Sequence, residues 1–100
     1  MEFTEHVDEV RELRRQDRDE EAERLLLRLV EAVEAEAAAE GWGVAPWYYE
    51  QLAIIYRKRK DLDAEVSILE RFARQRHAPG ASPPKLLARL ERARTLRDRR

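Results

Sequence analysis

The 100-residue chain lacks cysteine and asparagine and contains little glycine or proline. Without cysteine it can form neither a disulfide nor a thiolate site, and we expect a cytoplasmic location. The first residues, MEFTEHVDEV, are acidic and lack the basic start and apolar core of a signal peptide. Aliphatic runs reach only four residues, far below the ~20 needed to span a membrane. These absences predict one small domain that makes no membrane contact.

Charge and helix-forming residues are abundant in the chain. Charged residues make up 41% of it and hydrophobic residues 43%, and Ala, Glu, Arg and Leu dominate. Apolar residues recur at helical spacing, and no segment shows the alternation that a strand requires. We therefore predict an all-α fold of about five antiparallel helices. Arginine outnumbers lysine 17 to 3, which indicates a bacterial source with GC-rich coding.

The two halves of the chain carry opposite charge. Residues 1–50 hold 15 acids and 6 bases, whereas residues 51–100 hold 6 acids and 14 bases. The net charges are therefore −9 and +8, although the whole chain is nearly neutral. We expect the halves to fold against each other. The alternative is that acidic and basic faces meet between neighbouring molecules.

Helix-start and helix-stop residues divide the chain into five predicted helices. Their spans are 4–16, 17–40, 46–60, 61–76 and 83–98. The residues expected to begin or end them are Thr4, Asp17 in a capping box with Glu20, Gly41, Pro46, Asp61 and Ser82. Residues 41–46 and 78–82 are the predicted linkers.

The segment WYYEQLAIIYRKRKDLDAEVSILERF, residues 47–72, has the clearest helical pattern. One face of its first helix carries an aromatic, a leucine, an alanine and a tyrosine: Tyr49, Leu52, Ala53 and Tyr56. The next helix continues with Leu62, Val66, Leu69 and Phe72. The residues that we expect together in one core are Leu25, Leu29, Leu52, Tyr56, Leu69 and Leu90.

This segment resembles a tetratricopeptide repeat. Its first helix has the pattern aromatic-x-x-Leu-Ala-x-x-Tyr, and a short turn and a second amphipathic helix follow. An internal match aligns Leu13 with Tyr56, a shift of 43 residues, longer than the ~34 of an ordinary repeat. The resemblance implies a single domain over residues 1–100, with helix pairs at 4–40 and 46–77 and a closing helix at 83–98. Lys60 stands where the family usually has glycine, and Glu65 where it prefers alanine.

The resemblance also implies a binding surface. In this family the first helix of each pair lines a concave face, where ligand peptides lie. Residue by residue, this gives Trp47, Glu50, Ile54, Arg57 and Lys58 from the second pair, and Arg11, Arg14 and Arg15 from the first. The family's carboxylate-clamp asparagines cannot be present, because the chain has none. The remaining groove is basic and suits an acidic or amphipathic segment of another protein.

Residue types that carry catalysis or bind metals form no recognisable pattern. The two histidines, His6 and His77, are expected on the surface, and three glycines make no phosphate-binding loop. Glu23 is expected among the charges at a helix start and Glu34 on a solvated face. We therefore predict no enzymatic activity, no catalytic residue, no cofactor and no metal. Trp42 is expected in the core, with a binding anchor as the alternative, and both interpretations stay open for Trp47.

The sequence favours a non-enzymatic module for protein–protein interaction. The first alternative is an accessory protein associated with nucleic acid, which would use the basic C-terminal helices and in particular Arg89, Arg92, Arg97 and Arg100. The acidic first half and a pI of 6.2 argue against nucleic acid as the partner. The second alternative is a structural homo-oligomer that stacks through its oppositely charged ends.

Overall fold

The predicted all-α architecture with five helices is confirmed. A computed structural model describes residues 3–77 and 82–99, and this part of the chain contains no β-strand. The helices are α1 (Phe3–Arg15), α2 (Asp19–Glu40), α3 (Trp47–Lys58), α4 (Leu62–Ala73) and α5 (Ser82–Asp98). Residues 78–81 of the predicted second linker, and Arg100, lie outside the described residues. None of the described helices is long and apolar enough to cross a membrane.

Two predicted helix ends are confirmed by their geometry. Gly41 ends α2 in the left-handed conformation, with φ of 75°, and its N–H donates to the carbonyl of Ala37. Asp61 precedes α4, and its carboxylate accepts a hydrogen bond of 3.1 Å from the backbone N–H of Ala64. These residues act locally, within one turn of the helix, and local sequence is therefore enough to find them.

The predicted capping box at the start of α2 is wrong. Arg18 occupies the N-cap position, and no side chain caps this end of the helix. Asp17 instead takes a positive φ of 57° in the turn that ends α1, where the N–H of Arg18 donates to the carbonyl of Leu13. Aspartate tolerates this left-handed conformation better than most residues. Closing the turn between the two helices therefore outweighs capping at this position.

Consecutive helices pack side by side, so that α2, α3 and α4 each lie between two neighbours. All six residues predicted for the core are buried in one apolar cluster that draws on every helix. Near its centre the rings of Tyr49 and Phe72 lie 5.2 Å apart and join α3 to α4. Helix α5 covers α4 with Leu86, Leu90 and Ala93, and the outer face of α5 is mostly polar.

The acidic α2 and the basic ends of α3 and α4 are joined by ion pairs, as we expected for the two charged halves. Glu34 was expected in solvent, but it accepts two hydrogen bonds of 2.9 Å from Arg71 and one of 2.8 Å from the Tyr49 hydroxyl. Glu23, expected among helix-start charges, accepts from Arg59 at 2.5 Å and from the Tyr56 hydroxyl at 2.9 Å. Both glutamates therefore connect helices.

The loop between α2 and α3 is held by the residues that follow α4. The N–H of Val44 donates to the carbonyl of Arg76 at 2.8 Å, and the Arg76 guanidinium donates to the carbonyl of Gly41 at 2.7 Å. His77, expected on the surface, is half-buried with its ring stacked on Phe72 at 4.3 Å. The core position predicted for Trp42 is wrong, because the loop leaves 53% of this residue exposed.

Candidate functional site

The predicted groove residues of α1 meet α3 on one face of the molecule. The Arg11 guanidinium lies over the Trp47 ring, 5.6 Å from its centroid, and Arg14 donates to the amide oxygen of Gln51. Arg15 is exposed and pairs with Glu12 one turn earlier. Gln51 was missed by the sequence analysis, although it follows Trp47 by four residues and therefore shares its helix face.

These side chains border a cationic depression between α1 and α3. Its volume is about 350 Å³, and its lining residues are Arg11, Arg14, Arg15 and Gln51. The Nε atom of Arg14 is buried there without a hydrogen-bond partner among the described residues. Buried donors are normally satisfied, and an unpaired one is costly.

A second depression lies beside Trp47, between α3 and α5. It measures about 220 Å³ and is lined by Ala45, Pro46, Trp47, Glu50 and Leu86. Trp47 is half-buried, packs against the core and meets the Tyr48 ring edge-on at 5.3 Å. It therefore belongs partly to the core and partly to the groove face. Leu86 on α5 was also missed, because only the packing of α5 brings it beside α3.

Arg57 does not join these side chains, because Glu65 holds it. The Glu65 side chain is fully buried and accepts from Arg57 Nε at 2.5 Å and Arg57 Nη2 at 2.8 Å. Arg89 of α5 donates to the same carboxylate at 3.1 Å. One glutamate of α4 therefore connects α3 to α5. A ligand acid would have to compete with a buried carboxylate for the two donors of Arg57.

Lys58 and Ile54 complete the predicted set. Lys58 faces the turn between α1 and α2, where its ammonium lies 3.1 Å from Asp17 and 3.0 Å from Asp19. These contacts raise the pKa of Lys58, mainly through the hydrogen bond to Asp19. Ile54 is half-buried on α3. The structure thus brings together Arg11, Arg14, Arg15, Trp47 and Glu50, whereas Arg57 and Lys58 serve other contacts.

The side chains whose pKa values shift most strongly, Tyr49 and Tyr56, lie in the interface between α2 and α3. Burial raises the pKa of Tyr49 well above its usual value, and the hydrogen bond to Glu34 raises it further. Tyr56 shows the same direction of shift, from burial and then from Glu23. Both hydroxyls are donors to carboxylates and stay protonated at neutral pH. Within residues 3–77 and 82–99, no three acidic, histidine or cysteine side chains cluster in a way that could hold a metal ion.

Comparisons with protein-family models, with curated proteins and with solved structures gave no match to this chain. Its function is therefore inferred from the chemistry of its own residues.

Proposed function

We propose that this protein is a non-enzymatic interaction module, similar to tetratricopeptide repeats, that binds an acidic or amphipathic segment of another protein. The observation that carries the proposal is the position of Trp47. This half-buried aromatic residue borders the partly apolar depression, and Arg11, which lies over its ring, borders the cationic one. Aromatic and arginine side chains in this arrangement are typical of residues that dominate binding energy.

Two features of the fold support the repeat-like interpretation. The α3 residues Tyr49, Leu52, Ala53 and Tyr56, which carry the resemblance, are all buried. Lys60, at the position where the family has glycine, takes the left-handed conformation that glycine favours, with φ of 60°. The backbone therefore makes the expected turn even though the expected residue is absent.

The chemistry of the face supports a ligand with two kinds of side chain. At the α1 side, Arg11, Arg14 and Arg15 offer guanidinium donors to carboxylates. At the α5 side, Trp47, Pro46 and Ala45 offer apolar surface. An amphipathic segment with acidic residues at one end matches both depressions. The lack of cysteine supports a cytoplasmic setting for this binding.

The test is capture of partners from lysate of the source organism, with and without nuclease, using two charge-matched variants. Arg11→Glu/Arg15→Glu reverses two cations of the groove, whereas Arg24→Glu/Arg74→Glu reverses two exposed cations on α2 and at the end of α4. We avoid Arg57→Glu because it would place a carboxylate against buried Glu65. Helical circular dichroism verifies that both variants fold.

The proposal predicts that a protein partner survives nuclease treatment, is lost with the groove variant and is retained by the control. Equal capture by both variants would place the binding surface elsewhere. Capture that nuclease abolishes would favour the nucleic-acid alternative. Recovery of this chain alone, together with a mass that falls as salt rises in sedimentation, would favour charge-driven self-association.

A further inference from the structure

Trp42 is an exposed tryptophan on a loop that the fold holds in place. More than half of the residue is in contact with solvent, yet its neighbours are fixed on both sides. The Gly41 N–H donates a hydrogen bond to the Ala37 carbonyl, and the Gly41 carbonyl accepts one from the Arg76 guanidinium. The Val44 N–H donates to the Arg76 carbonyl. A side chain presented in this way binds with little further ordering cost. Tryptophan is also among the residues most enriched at binding hot spots.

A pocket of about 190 Å³ lies beside Trp42. It is lined by Val33, Glu36, Trp42, Gly43, Ala45 and Tyr48. A pocket of this size can hold one long side chain but not a helix. The lining combines two aromatic rings with a single carboxylate and includes no basic residue. Burial raises the pKa of Tyr48 and the charge of Glu36 raises it further, so the carboxylate acts on this pocket.

The end of α2 is unusually acidic for a helix C-terminus. The C-terminal carbonyls carry a partial negative charge and are stabilised by cations. Here the last turn contains no basic residue, and Glu36 and Glu40 lie near it. Arg76 donates to the Gly41 carbonyl and lines the neighbouring pocket on Trp42 rather than this one, and Arg71 is occupied by Glu34. The pocket is therefore left with a negative field that an incoming cation would neutralise.

We propose that the pocket formed by Trp42, Tyr48 and Glu36 binds an arginine side chain of a partner protein. Arginine fits because its planar guanidinium stacks on an aromatic ring while its fork of donors pairs with a carboxylate. The chain already contains this arrangement at its other tryptophan, where Arg11 covers Trp47. Among the described residues no arginine covers Trp42 in the same way. The partner supplies the missing cation.

This site differs from the groove of the proposed function in its sign of charge. The groove offers arginines to an acidic ligand, whereas the Trp42 pocket offers a carboxylate to a basic one. The two surfaces adjoin at Ala45, which borders both, and at Tyr48, whose ring meets that of Trp47 edge-on. Their charged residues differ, Glu36 in the pocket and Arg11 and Arg15 in the groove, so charge variants test each surface separately.

The experiment uses the full chain labelled with ¹⁵N, because the two tryptophans give two indole N–H signals. The probe is N-acetyl-arginine amide, and the control is N-acetyl-citrulline amide, which has the same shape but no charge. We expect the arginine probe to shift the Trp42 signal saturably and the citrulline probe to shift it much less. Glu36→Gln should weaken arginine binding about two- to fivefold, measured on the same Trp42 signal. Glu31→Gln, an exposed change on the same helix, should leave it unchanged.

Three results would overturn the assignment. Equal shifts with the arginine and citrulline probes would show that charge is not recognised. Unchanged binding in Glu36→Gln would show that the carboxylate takes no part. A Trp42 shift that depends on protein concentration alone would mean that the pocket takes an arginine of a second copy, and it would exclude a separate partner as the source.

Discussion

Glu65 provides the sharpest test of the fold, because a fully buried carboxylate joins three helices. It accepts from Arg57 of α3 and from Arg89 of α5, at distances between 2.5 and 3.1 Å. Glu65→Gln keeps the shape of the side chain but removes the charge, and it places an amide N–H₂ against arginine donors. We expect the free energy of unfolding to fall by about 3–5 kcal/mol, as when a buried ion pair loses one partner.

The size of the expected stability loss follows from the fact that Glu65 is fully buried whereas its two arginine partners are not. At an effective dielectric constant near 20, opposite charges about 4 Å apart attract by about 4 kcal/mol, and Glu65 has two such partners. The cost of removing the carboxylate from water offsets part of this attraction. Arg57 and Arg89 retain 30% and 28% of their side-chain surface, so they regain some hydration when Glu65 is neutralised. The net loss should therefore be close to that of one pair.

Urea denaturation followed by circular dichroism measures this loss. The matched control is Glu91→Gln, because Glu91 also pairs with an arginine but is 75% exposed, and surface pairs contribute at most about 1 kcal/mol. The triple variant Arg57→Met/Glu65→Met/Arg89→Met removes every charge of the cluster and should recover most of the lost stability. A loss below about 1 kcal/mol in Glu65→Gln would refute the idea that this carboxylate is buried between two arginines.

Three further predictions concern the core and the pH dependence of stability. Leu52→Ala should lower the free energy of unfolding by about 2–5 kcal/mol, because Leu52 is fully buried, and a urea titration giving less than about 1 kcal/mol would place α3 wrongly. The raised pKa of Tyr49 stabilises the fold below the ordinary value of 10.0, and this contribution is lost as pH rises above it; unfolding titrations should show a flatter alkaline decline in Tyr49→Phe. Burial opposes the charge of Glu23, but hydrogen bonds from Arg59 and Tyr56 outweigh it and lower the pKa of Glu23. Stability from Glu23 is thus present above its ordinary pKa of 4.5 and is lost as pH falls through the lower value of the folded state, so Glu23→Gln should lose less stability on acidification than the parent chain.

The helices and the core could be predicted because their signals are local and repeat. The spacing of Tyr49, Leu52 and Tyr56 identifies the buried face of α3 wherever the neighbouring helix lies. Gly41 and Asp61 act within one turn of their own helices. These features need no knowledge of which helix lies beside which, and the sequence was sufficient for them.

The errors concern residues whose role depends on distant parts of the chain. Glu34 looked solvated because its partners, Tyr49 and Arg71, lie 15 and 37 residues away. Trp42 looked like a core residue because loop tryptophans often are, but in the folded loop, which is hydrogen-bonded to Arg76, it is 53% exposed. Glu65 carried one usable signal, namely a charged residue at a position expected to be alanine. Such a residue predicts a buried ion pair, although the sequence does not identify Arg89 as a partner.

Pairing between the charged halves also determines where unpaired charge is left. Ion pairs from Asp19, Glu23 and Glu34 neutralise one side of α2 against the bases of α3 and α4. Among the described residues, Glu36 and Glu40 gain no ion pair of this kind; both lie near the end of α2, and Glu36 lines the pocket beside the exposed Trp42. Meanwhile the arginines of α1 gather at the other depression, where α3 offers a glutamine and no carboxylate. Because a nearly neutral chain has no general charge with which to attract a partner, we propose that these two local excesses of opposite sign guide electrostatic recognition.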